Sequence, residues 1–528
     1  MIFPEKINMT EFVLGKWANK SDDRIAILYE NESISFADLS KSVNRFGNLL
    51  KQLGVKPAER VLLRMSNHPL YIALNMAVIK IGAVAVPTST LFREREIEYI
   101  LGNSEAKIAI AMPEFLPEVL EIRNAVPKLK VLTVAGKYDS YDSVEDLAKD
   151  QSESLTAQNT SKDDLAFILY TSGTTSFPKG VPHSHKWLLA LGEPNSDFVM
   201  GIHSGDRILT PSEMTWMWPW GYCIWFAMYR GASACIYSGR FDGDRTFEYL
   251  QKYKATHVAG NPTIYRRLVR VDDAEHRYDL SNLRAAFSSG ETLAPELFKE
   301  WKRRFGCEIY DCLGQTELHV FCATRPGSVK LGSMGRPLPG IPVSVIDEDG
   351  EPCKPGEIGY LAVRKEFEGL TEGYLKLEEE WKKKIRGIWY LTWDHAYIDD
   401  DGYYWYISRA DDLIKSRGYL IAPKEIEDVL QEHTSVLESS VIGVKDHDLR
   451  ERVVAMIILR EGLEPSLELA SDIRKHVVQR IAPFKAPKEI IFVDAIPKTV
   501  TGKIMRKAMK EDYESGRNPS LARYKYTF

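Results

Sequence analysis

Residues 169–180 read LYTSGTTSFPKG, an apolar stretch feeding a loop of Ser, Thr and Gly that ends on Lys179. Backbone N–H groups, hydroxyls and one ammonium in that order can cradle a polyphosphate. The spacing is not that of a Walker A loop, and composition alone leaves a polar surface loop as an equal alternative. Residues 311–317 read DCLGQTE and follow an apolar run. A carboxylate beside a threonine suits a magnesium–phosphate site, because Mg²⁺ takes hard oxygen ligands and shares phosphate oxygens. Thr316 with Glu317 would serve equally to cap a helix. Farther on, Asp394 offers a carboxylate for sugar hydroxyls and Arg409 a guanidinium for a phosphate. Near the end, PKTVTGKIMR sets Lys503 behind a glycine turn, where a lone lysine is ordinarily just solvated.

These groups need a frame that brings them together. From Ile25 to Ala135, short apolar runs (RIAILY, RVLLRM, AVAVPT, KIAIAM, KVLTVAG) alternate with amphipathic stretches such as SFADLSKSVNRFGNLLKQLG, closed by Gly54. That rhythm predicts parallel α/β sheets. It returns at THVAG, LRAAFSSG and CEIYDCLG, each expected to run from a strand into a small-residue turn. Ligands of such sheets sit beyond the strand ends, so these turns are candidate binding positions. Near residue 340 the texture changes to hairpins with Asp-Gly turns, VSVIDEDGEP and AYIDDDGYYWYI. After Arg409 it changes again, to a compact α+β module. The expected fold class is therefore α/β: a large N-terminal domain of parallel α/β sheets with a β-rich subdomain (1–410), and a small mobile α+β domain (411–528).

A chain of 528 residues exceeds one hydrophobic core. A net charge of −5 supplies no bulk basic field, so no nucleic-acid partner is expected. Six cysteines without a CxxC pair point to reduced thiols rather than a zinc site or a disulfide framework. MIFPEKINMTEF carries charges where a signal peptide needs an apolar centre. The greasiest stretch, Met214 to Tyr229, contains Pro219 and Gly221 and reads as a buried wall or a ligand pocket rather than a membrane span. A cytoplasmic protein is expected.

Taken together, in this order and at these separations, the four motifs resemble the acyl-adenylate-forming superfamily. That superfamily includes acyl-CoA synthetases, luciferases and the adenylation domains of peptide synthetases. The resemblance runs from the N-terminal α/β region to Lys503 and is nearest in tone to acetyl-, medium-chain acyl- and benzoate-type CoA ligases. It implies ATP, Mg²⁺ and coenzyme A as co-substrates of a small-molecule carboxylic acid. A homodimer is the one protein assembly left open.

The resemblance also implies roles. Thr171, Ser172, Gly173, Thr174, Thr175 and Lys179 match the loop around the ATP phosphates, with Ser176 where many members carry glycine. Ser289, Gly290, Glu291 and Thr292 match the turn against adenine, and Asp311 an acceptor for its amino group. Thr316 matches an α-phosphate contact, Glu317 the magnesium ligand, Asp394 the ribose carboxylate and Arg409 a second nucleotide contact. Lys503 matches the catalytic lysine between the acid and the α-phosphate. Asp411 matches a hinge about which the small domain turns, bringing Lys415, Gly418 and Tyr419 to the CoA path. Leu313, Trp393 and Ser408 depart from the usual aromatic, glycine and glycine.

For the acid, Trp216 matches the start of the acyl-pocket wall, and Trp218 and Trp220 follow it as either lining or core. Gly314 stands where acetate-specific relatives carry a tryptophan, so an open pocket floor is expected. His319 follows the Thr-Glu pair as in benzoate-type ligases, lining an aryl pocket or serving structure. A medium-sized aliphatic, branched or aryl acid is expected over acetate. The rivals are a stand-alone enzyme that loads an acid onto a carrier protein, an acetate-type ligase, a luciferase-like oxygenase, and a binding protein with a decayed site.

Overall fold

The computed structural model describes the chain apart from residues 1–2, 21–22, 123–125, 127, 172–176, 292, 410–411, 417–418, 447–448, 500–503 and 517–523, and the side chains of 415, 419, 420 and 450. The described chain forms two compact units, residues 1–343 with 364–388, and residues 344–363 with 389–528. The expected division at residue 410 falls on residues outside those described.

The first unit contains two large sheets. One orders its strands Lys130–Thr133, Ile108–Ala111, Arg60–Arg64, Val84–Pro87, Leu165–Tyr170 and Gly180–Ser184. All its neighbours are parallel except the last pair, which is a hairpin. The other carries Ile25–Tyr29, Ser233–Ile236, Arg207–Leu209, His257–Gly260, Ala285–Ser289 and Glu308–Gln315 in parallel. It then turns antiparallel into His319–Ala323. The strands form at the short apolar runs because their side chains are buried on both faces, as parallel sheets require.

Helix boundaries follow local chemistry. Phe36–Gln52 starts at Ser35, whose Oγ accepts from Asp38 N at 3.0 Å, and Gly54 takes φ +89° just beyond its end. Pro69–Lys80 begins on a proline and is buried all round. Met214–Tyr229 becomes a buried wall of three successive helical pieces, with a π-helical turn over Trp220–Phe226. Among the described residues no helix is long and apolar enough to cross a membrane.

One local expectation is corrected. Residues 311–315 are not a turn: the strand begun at Glu308 continues through Gln315, and the reversal is at 316–318. Thr316 and Glu317 therefore join two antiparallel strands and cap no helix.

In the second unit, Trp389–Ile398 pairs antiparallel with Tyr404–Arg409. The C-terminal sheet is built around Val436–Asp446 and Arg450–Leu459, flanked by the helices Pro423–Gln431 and Leu467–Arg480. Its core is aliphatic, from Ile414 through Ile426, Val441 and Ile490.

Candidate functional site

The strands Leu165–Tyr170 and Gly180–Ser184, on either side of the Ser/Thr/Gly segment, pair antiparallel. Tyr170 pairs with Gly180, and Thr171 N–H donates to Lys179 O at 3.0 Å. Residues 172–176, and with them four of the predicted phosphate contacts, lie outside the described residues. Beyond them Phe177 stacks on Tyr99 with ring centroids 4.7 Å apart, beneath the Arg95 guanidinium.

Lys179 lies over the ring of Tyr374, 5.1 Å from its centroid, and its Nζ is 3.3 Å from Glu380 Oε2. The Tyr374 hydroxyl donates to Glu317 Oε1, and the Glu317 carboxylate is buried. Thr371 N–H donates to Glu317 O at 2.8 Å, and Leu375 N–H donates to Gly180 O at 2.9 Å. The segment 371–375 thereby fastens the lysine strand to the carboxylate turn. Thr316 O contacts His183 Nε2 at 2.8 Å. Burial lowers the His183 pKa to about 3, so the ring is neutral and this contact is an N–H donated to the carbonyl. Thr171, Lys179, Thr316 and Glu317 are thus tied into one patch by Tyr374, Thr371 and His183. None of those three tying residues had been singled out from the sequence. Tyr374 lies 57 positions from Glu317, so no local spacing could have signalled it.

Glu317 fits a magnesium–phosphate role. It is a hard oxygen ligand held in place through one oxygen. Among the described residues no group of three or more His, Cys, Asp or Glu could hold a metal by itself. Residues 307–323 contribute no thiol ligand: Cys307, Cys312 and Cys322 are buried, and burial raises their pKa values.

At the ends of the parallel strands, Ser288 lies in register with Asp311. Asp311 Oδ2 accepts from Leu293 N at 3.3 Å. Gly290 takes φ +97°, which only glycine adopts freely. Glu291 is turned to Thr263 Oγ1 at 3.0 Å and Arg266 Nη2 at 2.8 Å, which pins the turn that follows Ser289.

The second unit carries the other polar pair. Asp394 and Arg409 are cross-strand partners, with Arg409 Nη1 3.4 Å from Asp394 Oδ1. Trp393 takes φ +62°. The left-handed conformation usual for a glycine is therefore kept with an indole in its place. Arg506 donates both Nη2 bonds to Glu427, at 2.7 Å each, and Nη1 to Asp412 at 3.3 Å. Lys503, Asp411 and Gly418, and the side chains of Lys415 and Tyr419, are outside the described residues. Lys498 and Ile504, on either side of 499–503, form an antiparallel bridge.

The apolar wall has an aromatic centre. The His319 ring is buried, 4.8 Å from Phe226, 5.0 Å from Tyr222, 5.9 Å from Trp187, and stacked on Trp218 at 6.1 Å. Burial lowers its pKa to about 3. Trp220 is core, against Phe167 and Tyr71, whereas Trp216 and Trp218 are only partly buried. Gly314, where an open floor is expected, sits where the two antiparallel strands approach closely. A Cβ there would lie 2.6 Å from His319 O and 2.9 Å from Val320 Cα. Main chain, not empty space, fills that direction, and the glycine permits the close approach of the two strands.

The hairpin ending in Lys179 and the buried carboxylate turn beside it form one patch of the first unit, and the Asp394–Arg409 strand pair belongs to the second. The AMP-binding enzyme model matches residues 14–375, and the AMP-binding enzyme C-terminal domain matches 425–503. An uncharacterized acyl–CoA ligase of Bacillus subtilis (strain 168) is 35% identical over 498 residues, covering 93% of both chains. Benzoate–CoA ligase of Thauera aromatica is 34% identical over 508 residues, covering 95% of both. A solved anthranilate CoA ligase in complex with anthranoyl-AMP superimposes with TM-score 0.90 at 31% identity, covering 98% of this chain and 99% of that one. The chain belongs to the AMP-binding enzyme family, among the AMP-forming acyl- and aryl-CoA ligases. It is an acid–thiol ligase that uses ATP and coenzyme A as substrates.

Proposed function

We propose that this ligase activates a medium-sized apolar acid, aliphatic, branched or aryl, as its acyl-adenylate and passes the acyl group to coenzyme A. The observation that carries the reading is the reversal at 316–318. It sets Glu317 two residues from His319, whose ring is enclosed by Trp187, Trp218, Tyr222 and Phe226. A charged phosphate-side group and an aromatic wall on one turn suit an acid whose carboxylate meets ATP while its body is apolar. The similarity to a benzoate–CoA ligase and an anthranilate CoA ligase supports the aryl end of that range.

In this reading Thr171, Ser172, Gly173, Thr174, Thr175 and Lys179 hold the β- and γ-phosphates. Ser289, Gly290, Glu291 and Asp311 hold adenine, and Asp394 and Arg409 hold ribose and phosphate. Thr316 meets the α-phosphate. Glu317 takes the Mg²⁺ that accompanies ATP, which offsets charge as pyrophosphate leaves. Lys503 brings the acid carboxylate against the α-phosphate, removing much of the entropic cost of their encounter. A turn of residues 411–528 about Asp411 then exchanges Lys503 for the segment Lys415, Gly418 and Tyr419 on the CoA path.

The test is AMP release with ATP, Mg²⁺ and CoA across acetate, butyrate, 2-methylbutyrate, octanoate, benzoate and 2-aminobenzoate. CoA-dependent turnover of the larger acids is expected, with little on acetate. Activity confined to acetate sinks the substrate reading. Pyrophosphate exchange with no CoA thioester sinks the acceptor and points to a carrier protein.

A further inference from the structure

Lys179 is not waiting unpaired for a phosphate. Its ammonium lies 3.3 Å from Glu380 Oε2, and the lysine side chain is only 19% exposed, against 38% for the glutamate side chain. The other oxygen of Glu380 takes Lys383 Nζ at 2.6 Å. The two lysines hold the Glu380 carboxyl below its usual range, Lys383 contributing most, so the group is an anion at neutral pH.

The contact is built into the local fold. Glu380 belongs to the short helix Glu378–Lys382. The next residue, Trp381, packs edge-on against Tyr374, with ring centroids 5.5 Å apart. Tyr374 is the ring beneath Lys179. Leu375 N–H donates to Gly180 O at 2.9 Å, directly after the lysine. The aromatic residue that carries the lysine therefore also seats the helix that brings the carboxylate.

We propose that Glu380 is an internal competitor of ATP: its carboxylate occupies the Lys179 ammonium, and a phosphate of ATP must displace it. The proposal rests on the reading of Lys179 as a phosphate ligand. A polyphosphate carries more charge than one carboxylate and wins the exchange, while Glu380 keeps Lys383 as its partner afterwards. The effect of the contact is to weaken ATP binding in the empty enzyme. A partly exposed ion pair contributes up to about 1 kcal/mol, so its removal tightens ATP about 2- to 5-fold.

The experiment measures Mg-ATP binding to the full chain by calorimetry, without acid, for wild type, Glu380→Gln, Lys179→Gln and the double variant. Matched melting temperatures serve as the check on folding. The expected result is an ATP Kd lowered about 2- to 5-fold in Glu380→Gln. Lys179→Gln should bind ATP more weakly, and adding Glu380→Gln to it should restore nothing. An unchanged or raised Kd in Glu380→Gln overturns the proposal while leaving Lys179 a phosphate ligand. So does the same tightening in the Lys179→Gln background, since the effect would then be a general field. An unchanged Kd in Lys179→Gln overturns the phosphate reading itself, and the proposal with it.

Discussion

The hydroxyl of Tyr374 donates to Glu317 Oε1 while the face of its ring lies 5.1 Å from Lys179 Nζ. One side chain thus spaces the cation and the anion that the adenylation reading assigns to phosphate and magnesium. A hydrogen bond to a charged group contributes about 1.5–3 kcal/mol, which is about 10- to 100-fold in rate or affinity. Tyr374→Phe keeps the ring under the lysine and frees the carboxylate. Its kcat/KM for ATP should fall by at least about 10-fold, and its melting temperature should drop as well, because the buried Glu317 carboxylate loses a donor. Wild-type kinetics in Tyr374→Phe would remove Tyr374 from the site.

Trp393 sits beside Asp394 with φ +62°, where an L-residue costs about 1–2 kcal/mol. At an ordinary position alanine stabilises relative to glycine, because glycine loses more chain entropy. Here the order should invert: Trp393→Gly is expected to be more stable than Trp393→Ala by about 1 kcal/mol. Both variants lose the indole, so the comparison isolates the backbone. Urea denaturation of the pair settles it, and an alanine variant as stable as the glycine variant would contradict the left-handed conformation.

Much of this was legible in the sequence, for reasons that differ by residue. Strands such as Arg60–Arg64 and Ile108–Ala111 announce themselves as short apolar runs because both faces are buried. The loop ending at Lys179 and the pair Thr316–Glu317 were visible because their chemistry is contiguous. Tyr374 and Glu380 were not, since their partners lie 57 and 201 positions away and only the folded chain brings them close. The surroundings of Gly314 were not legible for a related reason: sequence shows a missing side chain but not what its Cβ would meet.

That filling makes a prediction. A Cβ at 314 meets the main chain of His319 and Val320 at 2.6–2.9 Å, and backbone in a paired strand yields little. Gly314→Ala should destabilise by about 1–3 kcal/mol. It should lower turnover of every acid in parallel, because the turn bearing Glu317 shifts with the strand. A Gly314→Ala enzyme with normal stability and a preference moved toward acetate would contradict this and favour an open floor at Gly314.

The buried histidines set the behaviour in acid. Burial lowers His183 and His319 to about 3, and His68, His185 and His257 to about 4, from 6.5 when unfolded. Below pH 6.5 the unfolded chain therefore binds protons at these rings that the folded chain refuses. Stability must fall as pH falls from about 6.5 toward 4, by about 1.4 kcal/mol per pH unit for each ring once the unfolded form is fully protonated. The apparent melting temperature should change little from pH 7.5 to 6.5 and drop with increasing steepness from there to 5.0. His183→Gln, whose amide can still donate to Thr316 O, should show a shallower drop over the same interval. A melting temperature that stays level or rises on acidification would mean that these rings are protonated in the folded chain. The His183–Thr316 contact would then belong to a cation rather than a neutral donor.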